Sequence, residues 1–385
     1  MVSFPAEWRN KTFDDFIKIK RGASPRPIED YLVNGSNGVH WIKIGDAPKF
    51  GKYITSTAEK ISNRGAKHSV FVHPGDFILS NSMSFGRPYI VDIEGCIHDG
   101  WLRLFDFQSE ATEDYLYYLL SSSYVQKQYT SYAAGSGVQN LNKEVVKKVD
   151  VFLPPIYEQK EIAKTLSDFD TYINDLEELI EKKKNIRDGV LEDLLSQKTR
   201  LNGYTNQWEI KTIHQIADRY DNFRIPVTAN LRKKGKTPYY GANGILDYID
   251  GYTHDGEFVL IAEDGANDLK KYPVNYVNGK VWVNNHAHVL KGKNGVVNTK
   301  FLFYALQKVD FESILVGGTR SKLNSRSLME IELTIPNIRE QREIANILEN
   351  VDNEITCLEK ELDKIFQIRD GAMDDLLTGR IRLKD

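Results

Sequence analysis

An internal repeat constrains this chain more than any other feature of its sequence. Residues 154–201 and 336–383 align without a gap and are identical at 22 of 48 positions. Both copies begin Pro-x-Ile-x-Glu-Gln-(Lys/Arg)-Glu-Ile-Ala, and both continue to Ile-Arg-Asp-Gly, Asp-Leu-Leu and Arg-x-Leu. An offset of 182 residues is too long for the period of a solenoid. The chain is therefore predicted to consist of two related halves.

Bulk properties limit the class of protein. A chain of 385 residues exceeds one hydrophobic core and predicts at least two domains. It contains no run of about 18 apolar residues, and residues 1–11 lack an apolar signal core, so we expect no membrane association and a cytoplasmic location. Cys96 and Cys357 are too few for a disulfide framework or a zinc site. No metal site is predicted.

Each repeat is predicted to be one long helix. Its apolar residues recur in alternating steps of four and three, which is the a/d spacing of a coiled coil. A helix of about 40 residues is a rod of about 60 Å, and its single apolar stripe needs a partner. Two equivalent halves favour an antiparallel pair of helices. The predicted seam contains Ile162, Leu166, Phe169, Ile173, Leu176, Ile180, Ile344, Leu348, Val351, Ile355, Leu358 and Leu362.

Two glycines occupy matching positions inside the helical pattern. Gly189 and Gly371 each follow an Ile-Arg-Asp sequence, and each costs about 1 kcal/mol relative to alanine in a helix. Either a neighbouring helix or partner approaches the backbone closely there, or the helix kinks or ends. The sequence leaves both interpretations open.

The segments before the helices have a different character. They are rich in Gly, Asn and Tyr with short β-type runs, and they share landmarks such as Trp8 with Trp208 and Tyr115 with Phe301, the latter pair assigned to the core. The predicted fold is α+β, with two mixed α/β domains separated and bridged by two long helices that form an antiparallel coiled coil, in a pseudo-twofold internal repeat. The predicted boundaries are a globular domain at 1–153, a helical region at 154–201, a second globular domain at 202–335 and a second helical region at 336–385.

Charge is distributed unevenly along the chain. The net charges are +1 for residues 1–153 and +3 for 205–335, against −3 for 154–204 and −4 for 336–385. The globular segments are therefore mildly basic, which permits an anionic partner without requiring one.

The whole chain resembles the specificity (S) subunit of type I restriction–modification systems. The resemblance lies in the two repeats, the Trp-x-x-Lys-Thr opening at Trp8 and the Gly-rich turn before Leu141-Asn142. It implies a non-catalytic subunit whose globular parts are target recognition domains, each reading one half of a bipartite, asymmetric target in double-stranded DNA. It also implies that the paired helices fix the spacer and dock two methyltransferase subunits. Restriction/translocase subunits are further expected partners. S-adenosylmethionine, ATP and Mg²⁺ are expected on partner subunits, and no cofactor is expected here.

Residues that contact DNA are expected to be polar or basic side chains on loops of a rigid scaffold. The basic run at 232–236 is predicted to anchor phosphates, and Tyr239 to pack on sugars. The full set of candidates is Arg21, Arg26, Asn81, Ser82, Arg87, Ser136, Gln139, Asn140, Arg232, Lys233, Lys234, Lys236, Tyr239, Asn243, Thr319, Arg320 and Lys322.

Two other classes of function compete with a DNA reader. An enzyme acting alone would need its own catalytic motif, but residues 153–157 (Leu-Pro-Pro-Ile-Tyr) lack the polar residue of an adenine methyltransferase loop and are interpreted as a helix start. Residues 45–52 fail the spacing of a phosphate-binding loop. Glu263, Asp264 and Asp268 are interpreted as a solvated loop, and His286 and His288 as structural or DNA-facing. The remaining alternative is a coiled-coil protein–protein scaffold, which gives no reason for the globular parts alone to diverge.

Overall fold

The protein is an α+β molecule with two compact units. This computed structural model describes residues 4–35, 37–48, 51–81, 85–134, 141–315 and 322–383. One unit combines Met1–Glu177 with Glu361–Asp385, and the other is Glu178–Lys360. Each unit therefore contains one globular part together with segments of both long helices.

The first unit contains three sheets within its described residues. Its strands are β1 (Arg9–Thr12), β2 (Lys18–Arg21), β3 (Leu32–Val33), β4 (Val39–Ile42), β5 (Tyr53–Ile54), β6 (Glu59–Ile61), β7 (Val70–Val72), β8 (Phe77–Ser80), β9 (Pro88–Val91), β10 (Gly95–Ile97), β11 (Trp101–Phe105) and β12 (Asp150–Leu153). The strand orders are β1-β12, β3-β6-β4-β10-β7 and β2-β11-β8-β9-β5. The helices are α1 (Asn63–Ala66), α2 (Glu113–Ser121), α3 (Ser123–Ala134), α4 (Lys143–Lys147) and α5 (Ile156–Leu195).

The second unit contains two sheets within its described residues, ordered β13-β20 and β14-β19-β17-β18-β15-β16. Its strands are β13 (Glu209–Thr212), β14 (Ala217–Arg219), β15 (Lys234–Gly241), β16 (Gly244–Ile249), β17 (His254–Ala262), β18 (Val274–Val283), β19 (Ala287–Gly292) and β20 (Glu332–Ile335). Its helices are α6 (Ile213–Ile216), α7 (Thr299–Leu306), α8 (Ser325–Glu330) and α9 (Ile338–Leu377).

The two long helices confirm the repeat prediction. Both α5 and α9 contain 40 residues, and two residues separate each from the preceding strand of a short antiparallel pair, β1-β12 or β13-β20. Prolines at these strand-to-helix junctions suit the start of a helix. In α9 the side chain of Asn337 also accepts hydrogen bonds from the backbone N–H groups of Arg339 and Glu340. Residues 153–157 are thus a strand end followed by a helix start, as interpreted from the sequence.

Within each unit the segments of α5 and α9 run in opposite directions. In the first unit Asp170 bonds Arg369, and two residues later Tyr172 bonds Glu361. In the second unit Lys184 pairs with Glu359 and Arg187 with Asp352. The apolar stripe faces inward only in part. Its buried members are Ile162, Leu166, Ile173, Leu176, Ile180, Ile344, Leu348 and Ile355, while Phe169, Val351, Leu358 and Leu362 are half-buried.

The matching glycines lie inside continuous helix. A Cβ built on Gly189 or on Gly371 meets no atom within 4 Å among the described residues. The helix therefore does not end at either glycine, and no described part of the chain approaches them closely. Both positions are exposed.

A buried carboxylate attaches each globular part to the start of its long helix. The Glu158 side chain accepts a hydrogen bond from Trp8 Nε1 at 3.2 Å and bonds from the Arg382 guanidinium. Glu340, 182 residues later, accepts from Trp208 Nε1 at 3.4 Å and from Arg200 at 3.0 Å. We call these two groups the tryptophan clamps. They explain why this glutamate, this arginine and this tryptophan recur in both halves.

A second pair of networks, the tyrosine clamps, fixes the globular helices to the long ones. Tyr118 Oη donates to Asp170 at 2.7 Å, and Arg369 Nε donates to the same carboxylate at 3.1 Å. In the second unit Tyr304 and Arg187 bond Asp352 at 2.7 and 3.0 Å. The predicted core residues Tyr115 and Phe301 are fully buried on these same globular helices.

Breaking a tryptophan clamp is expected to destabilise its unit strongly. Glu340 is 1% exposed, and loss of one partner from a buried ion pair leaves the other charge uncompensated, so Glu340→Ala should lower the free energy of unfolding by about 3 kcal/mol. Asp168→Ala is the matched control, because it removes only an exposed i,i+4 pair with Lys164, worth about 0.5 kcal/mol or less. Urea unfolding of both variants would measure the difference. Equal small losses would show that the clamp does not stabilise the unit.

Candidate nucleic-acid interface

The two globular parts share one sheet topology. In the first, β2-β11-β8-β9 are antiparallel neighbours and β5 joins β9 in parallel. In the second, β14-β19-β17-β18 are antiparallel neighbours and β15 joins β18 in parallel. The second sheet adds β16 outside β15. The divergent sequences therefore share the backbone of this sheet, whereas the sheet β3-β6-β4-β10-β7 of the first globular part has no counterpart among the described residues of the second.

Matching backbone hydrogen bonds locate equivalent positions at one end of these sheets. Asn81, directly after β8, donates its N–H to Gly100 O and accepts from Leu141 N at 2.9 Å. Glu263, directly after β17, donates its N–H to His286 O and accepts from the N–H of Leu323 at 2.8 Å. Through these bonds Leu141-Asn142 in the first half and Leu323-Asn324 in the second attach to the same end of the sheet.

In the first globular part, candidate residues gather around Asp99. The Asn81 amide and the Arg21 guanidinium donate to Asp99 O at 2.9 and 3.3 Å, and Arg26 pairs with the Asp99 carboxylate at 3.3 Å. Ser24 Oγ donates to the same carboxylate at 3.1 Å. A cleft of about 260 Å³ lies beside the group. We call Arg21, Ser24, Arg26, Asn81 and Asp99 the Asp99 cluster.

The candidate Arg87 lies at the same end of the sheet, because its backbone N–H and C=O bond Ser80 of β8. It is exposed there.

In the second globular part, the equivalent place holds an ion-pair network around Glu263. Arg224 and Lys322 donate to the Glu263 carboxylate at 2.6 and 2.8 Å. Burial acts to raise the pKa of Glu263, but these hydrogen bonds and the charge of His288 hold that pKa below its ordinary value. We call Asp221, Arg224, Glu263, His288 and Lys322 the Glu263 cluster. Glu263 is consequently not part of a solvated loop, which corrects the interpretation made from sequence.

His288 is a structural residue of this cluster. It is 1% exposed, its Nδ1 lies 2.7 Å from an Asp221 carboxylate oxygen, and its Nε2 lies 2.8 Å from Leu323 O. Both ring nitrogens are therefore engaged within the fold. His286, two residues earlier, is half exposed and its Nδ1 pairs with Asp264 at 2.5 Å. The two histidines therefore have separate carboxylate partners.

Among the described residues, one group has a spacing that could hold a metal ion. Ligand atoms of Asp221, Glu263 and His288 lie within 4.8 Å of one another. Arg224 and Lys322 already neutralise Glu263, and both nitrogens of His288 face acceptors. We therefore assign this group to ion pairing.

A cleft of about 700 Å³ adjoins the Glu263 cluster, with Asn243, Asp264, His286 and Lys322 among its walls. Asn243 does not present a free amide there. Its side chain donates to Gly265 O and accepts from the N–H of Asn267, both at 2.9 Å. This predicted DNA contact instead holds the loop that forms one wall of the cleft.

Only part of the basic run at 232–236, which was predicted to anchor phosphates, is free to contact DNA. Lys233, Lys234 and Lys236 are exposed, at or just before β15. Arg232 is engaged internally, since its guanidinium lies 4.3 Å from the Tyr239 ring centroid and bonds Val227 O at 3.1 Å. Tyr239 is 1% exposed and its hydroxyl also bonds the backbone of Val227. The prediction that Tyr239 packs on sugars is not supported, because its ring is inside the domain.

The remaining candidates lie outside the described residues: Ser82, Ser136, Gln139, Asn140, Thr319 and Arg320. Sequence reasoning did not select Asp99, Asp221 or Arg224, which organise the two clusters. In the sequence these three residues are marked only by their position next to a β-type run.

Comparison with known proteins decides the family. A model of the type I restriction modification DNA specificity domain matches residues 5–186 and again 205–367. The chain belongs to the type I restriction–modification DNA specificity family. Members of this family give such systems their DNA sequence specificity and are not their catalytic subunits, as the resemblance predicted.

Individual relatives agree with this assignment. A putative type I restriction enzyme specificity subunit of Haemophilus influenzae is 44% identical over 149 residues, which is 39% of this chain and 38% of that protein. The MjaVIII specificity subunit of Methanocaldococcus jannaschii is 25% identical, with 99% of this chain and 94% of that protein covered. The crystal structure of the S subunit from M. genitalium superimposes with a TM-score of 0.63 at 19% identity, covering 96% of each chain, and shows the same fold.

In the described part of the chain, no helix is both long and apolar enough to cross a membrane.

The lowered pKa of Glu263 sets the pH range over which its ion pairs stabilise the fold. A carboxyl whose folded pKa is depressed stabilises the fold above its unfolded pKa, near the ordinary value of 4.5, and loses that contribution as pH falls through the folded pKa. The melting temperatures of wild type and Glu263→Gln should therefore differ by a constant amount from pH 7 to about pH 5.5. Their difference should narrow below pH 4.5. A difference independent of pH down to pH 3 would contradict the ion-pair assignment.

Proposed function

We propose that this chain reads a bipartite, asymmetric sequence in double-stranded DNA, with one globular part for each half-site. The observation that carries the proposal is a contrast within the chain. The tryptophan and tyrosine clamps recur residue for residue, whereas the loop clusters on the equivalent sheet ends differ. Shared clamps give the two readers the same attachment, and different loops give them different half-sites. The boundaries 1–153 and 202–335 are proposed for the two target recognition domains.

The long helices are proposed to form an antiparallel coiled coil that fixes the spacer between the half-sites. Opposite helix directions within each unit and the largely buried a/d stripe support this role. Two readers on one stiff rod engage DNA at a fixed separation, as half-site spacing is fixed in dimeric DNA-binding proteins.

The outer faces of α5 and α9 are proposed to dock two methyltransferase subunits, with restriction/translocase subunits joining for cleavage. Equivalent helices offer equivalent surfaces for two copies of one partner. The exposed Gly189 and Gly371, each with open space where a side chain would lie, suit a partner that packs closely on the backbone. S-adenosylmethionine, ATP and Mg²⁺ would be held by those partners, and the complex would act on DNA in the cytoplasm.

Methylated-base sequencing tests the proposal directly. DNA would be taken from cells that express the methyltransferase subunit with this chain, and from cells that express it alone. We expect a split motif with a fixed gap, present only with this chain. Replacing residues 1–153 by those of another member of the family should change one half-site and leave assembly intact. An assembled, active complex with no such motif would favour the protein–protein scaffold instead.

The spacer role predicts a length change of known size. Inserting seven residues into α5 after Leu176 and seven into α9 after Leu358 keeps the heptad pattern and lengthens both rods by about 10 Å. At about 3.4 Å per base pair, the gap in the methylated motif should grow by about three base pairs. Both half-sites should stay the same. An unchanged gap in an assembled complex would rule out the helices as the spacer.

A further inference from the structure

The Asp99 and Glu263 clusters occupy the same backbone position with different charges. The matched hydrogen bonds after β8 and β17 make Glu263 the counterpart of Asn81. Arg21 lies opposite Leu102 of β11. The β14–β19 register, extended two residues past Arg219, places Asp221 opposite His288 and so makes Asp221 the counterpart of Arg21. An arginine and an amide in one half are thus replaced by two carboxylates in the other.

This replacement differs in kind from the rest of the duplicated framework. Glu158 and Glu340, like Asp170 and Asp352, keep both their residue type and their partners across the two halves. A network that only supports the fold has reason to stay the same when the backbone stays the same. A changed network on a shared sheet is expected where the two halves meet different ligands.

We propose that the Asp99 cluster and the Glu263 cluster, the latter with His286 of the adjoining cleft, are the base-reading centres of the two domains. The readers would be Arg21 and Arg26 in the first domain and His286 and Lys322 in the second. The proposal rests on the proposed function, because it names the site within each domain that contacts the half-site. Arg21, Arg26 and Lys322 are hydrogen-bond donors, and their chemistry matches the N7 and O6 acceptors of guanine in the major groove. His286 has its Nε2 left for a base edge, because its Nδ1 pairs with Asp264.

Exposure and orientation support these four residues. The side chains of Arg26, His286 and Lys322 are 79%, 49% and 51% exposed. Arg26 and Lys322 are each held by a carboxylate of their own cluster, and Arg21 by the Asp99 carbonyl. His286 is held by Asp264, beside the Glu263 cluster. These side chains are therefore oriented before DNA arrives. Base reading requires such orientation, since a bidentate contact tolerates little displacement. Asn81 and Asp99 act as positioning residues, because Asn81 is buried and bonds the Asp99 backbone.

The two clusters can be tested separately in the assembled complex. The variants are Arg21→Gln with Arg26→Gln, and His286→Gln with Lys322→Gln. Lys18→Gln, at the opposite end of β2, and Lys211→Gln, on β13, are the matched controls. Initial methylation rates would be measured on duplexes in which each base pair of each half-site is replaced in turn. Melting temperatures and binding of methyltransferase subunits would confirm that each variant folds and assembles.

We expect each double variant to lose discrimination at a guanine of its own half-site by about 10- to 100-fold, with the other half-site and the gap unchanged. The controls should keep wild-type discrimination. A uniform loss of rate on all duplexes, with a weaker salt dependence, would identify phosphate contacts and overturn the base-reading role. Unchanged discrimination would overturn it as well. Absence of any split motif with the wild-type chain would instead refute the proposed function itself.

Discussion

The buried carboxylate at the start of each long helix is the interaction on which the rest of the structure depends. Glu158 and Glu340 are 6% and 1% exposed, and each joins three parts of the chain that are far apart in sequence. A charge so far from water is tolerated only when it is fully paired. The tryptophan that opens a globular part and the arginine that follows a long helix must therefore be in place together. This requirement couples each globular part to both helices.

The arginine partners also explain why the repeat has been retained. Arg200 follows α5 but binds Glu340 at the start of α9, and Arg382 follows α9 but binds Glu158 at the start of α5. Each copy of the repeat thus supplies one partner to the other copy's clamp. A substitution in one copy leaves an unpaired charge in a clamp shared with the other. The loop clusters have only local partners, so each can change without affecting its counterpart.

The sequence predicted the parts of the fold that depend on periodic or repeated residues. Both long helices, the strand and proline before them and the buried Tyr115 and Phe301 are confirmed. The seam was predicted less well, because a heptad pattern does not show how closely two helices approach, and Phe169 and Leu362 are only half-buried.

The candidate site was less predictable for a physical reason. The predicted DNA contacts were polar or basic side chains, and residue type alone does not distinguish a free guanidinium from one stacked on a ring, as Arg232 is on Tyr239. The organising residues were also hidden in sequence, because Asp99 gathers side chains from 18 to 78 positions away. Only the folded sheet brings Arg21, Asn81 and Asp99 together at one end of its strands.

Carboxylates at a DNA-reading surface at first oppose binding, since they repel phosphate. In both clusters, however, the carboxylate lies behind an exposed donor. Asp99 pairs with Arg26, and Glu263 pairs with Lys322. An unpaired lysine or arginine would bind any phosphate, independently of sequence. A donor already paired with a carboxylate gains less from a phosphate, so a base edge that offers well-placed acceptors is needed to compete. The acidic residues therefore favour specificity over affinity, which is the balance required of a subunit that chooses one sequence among many.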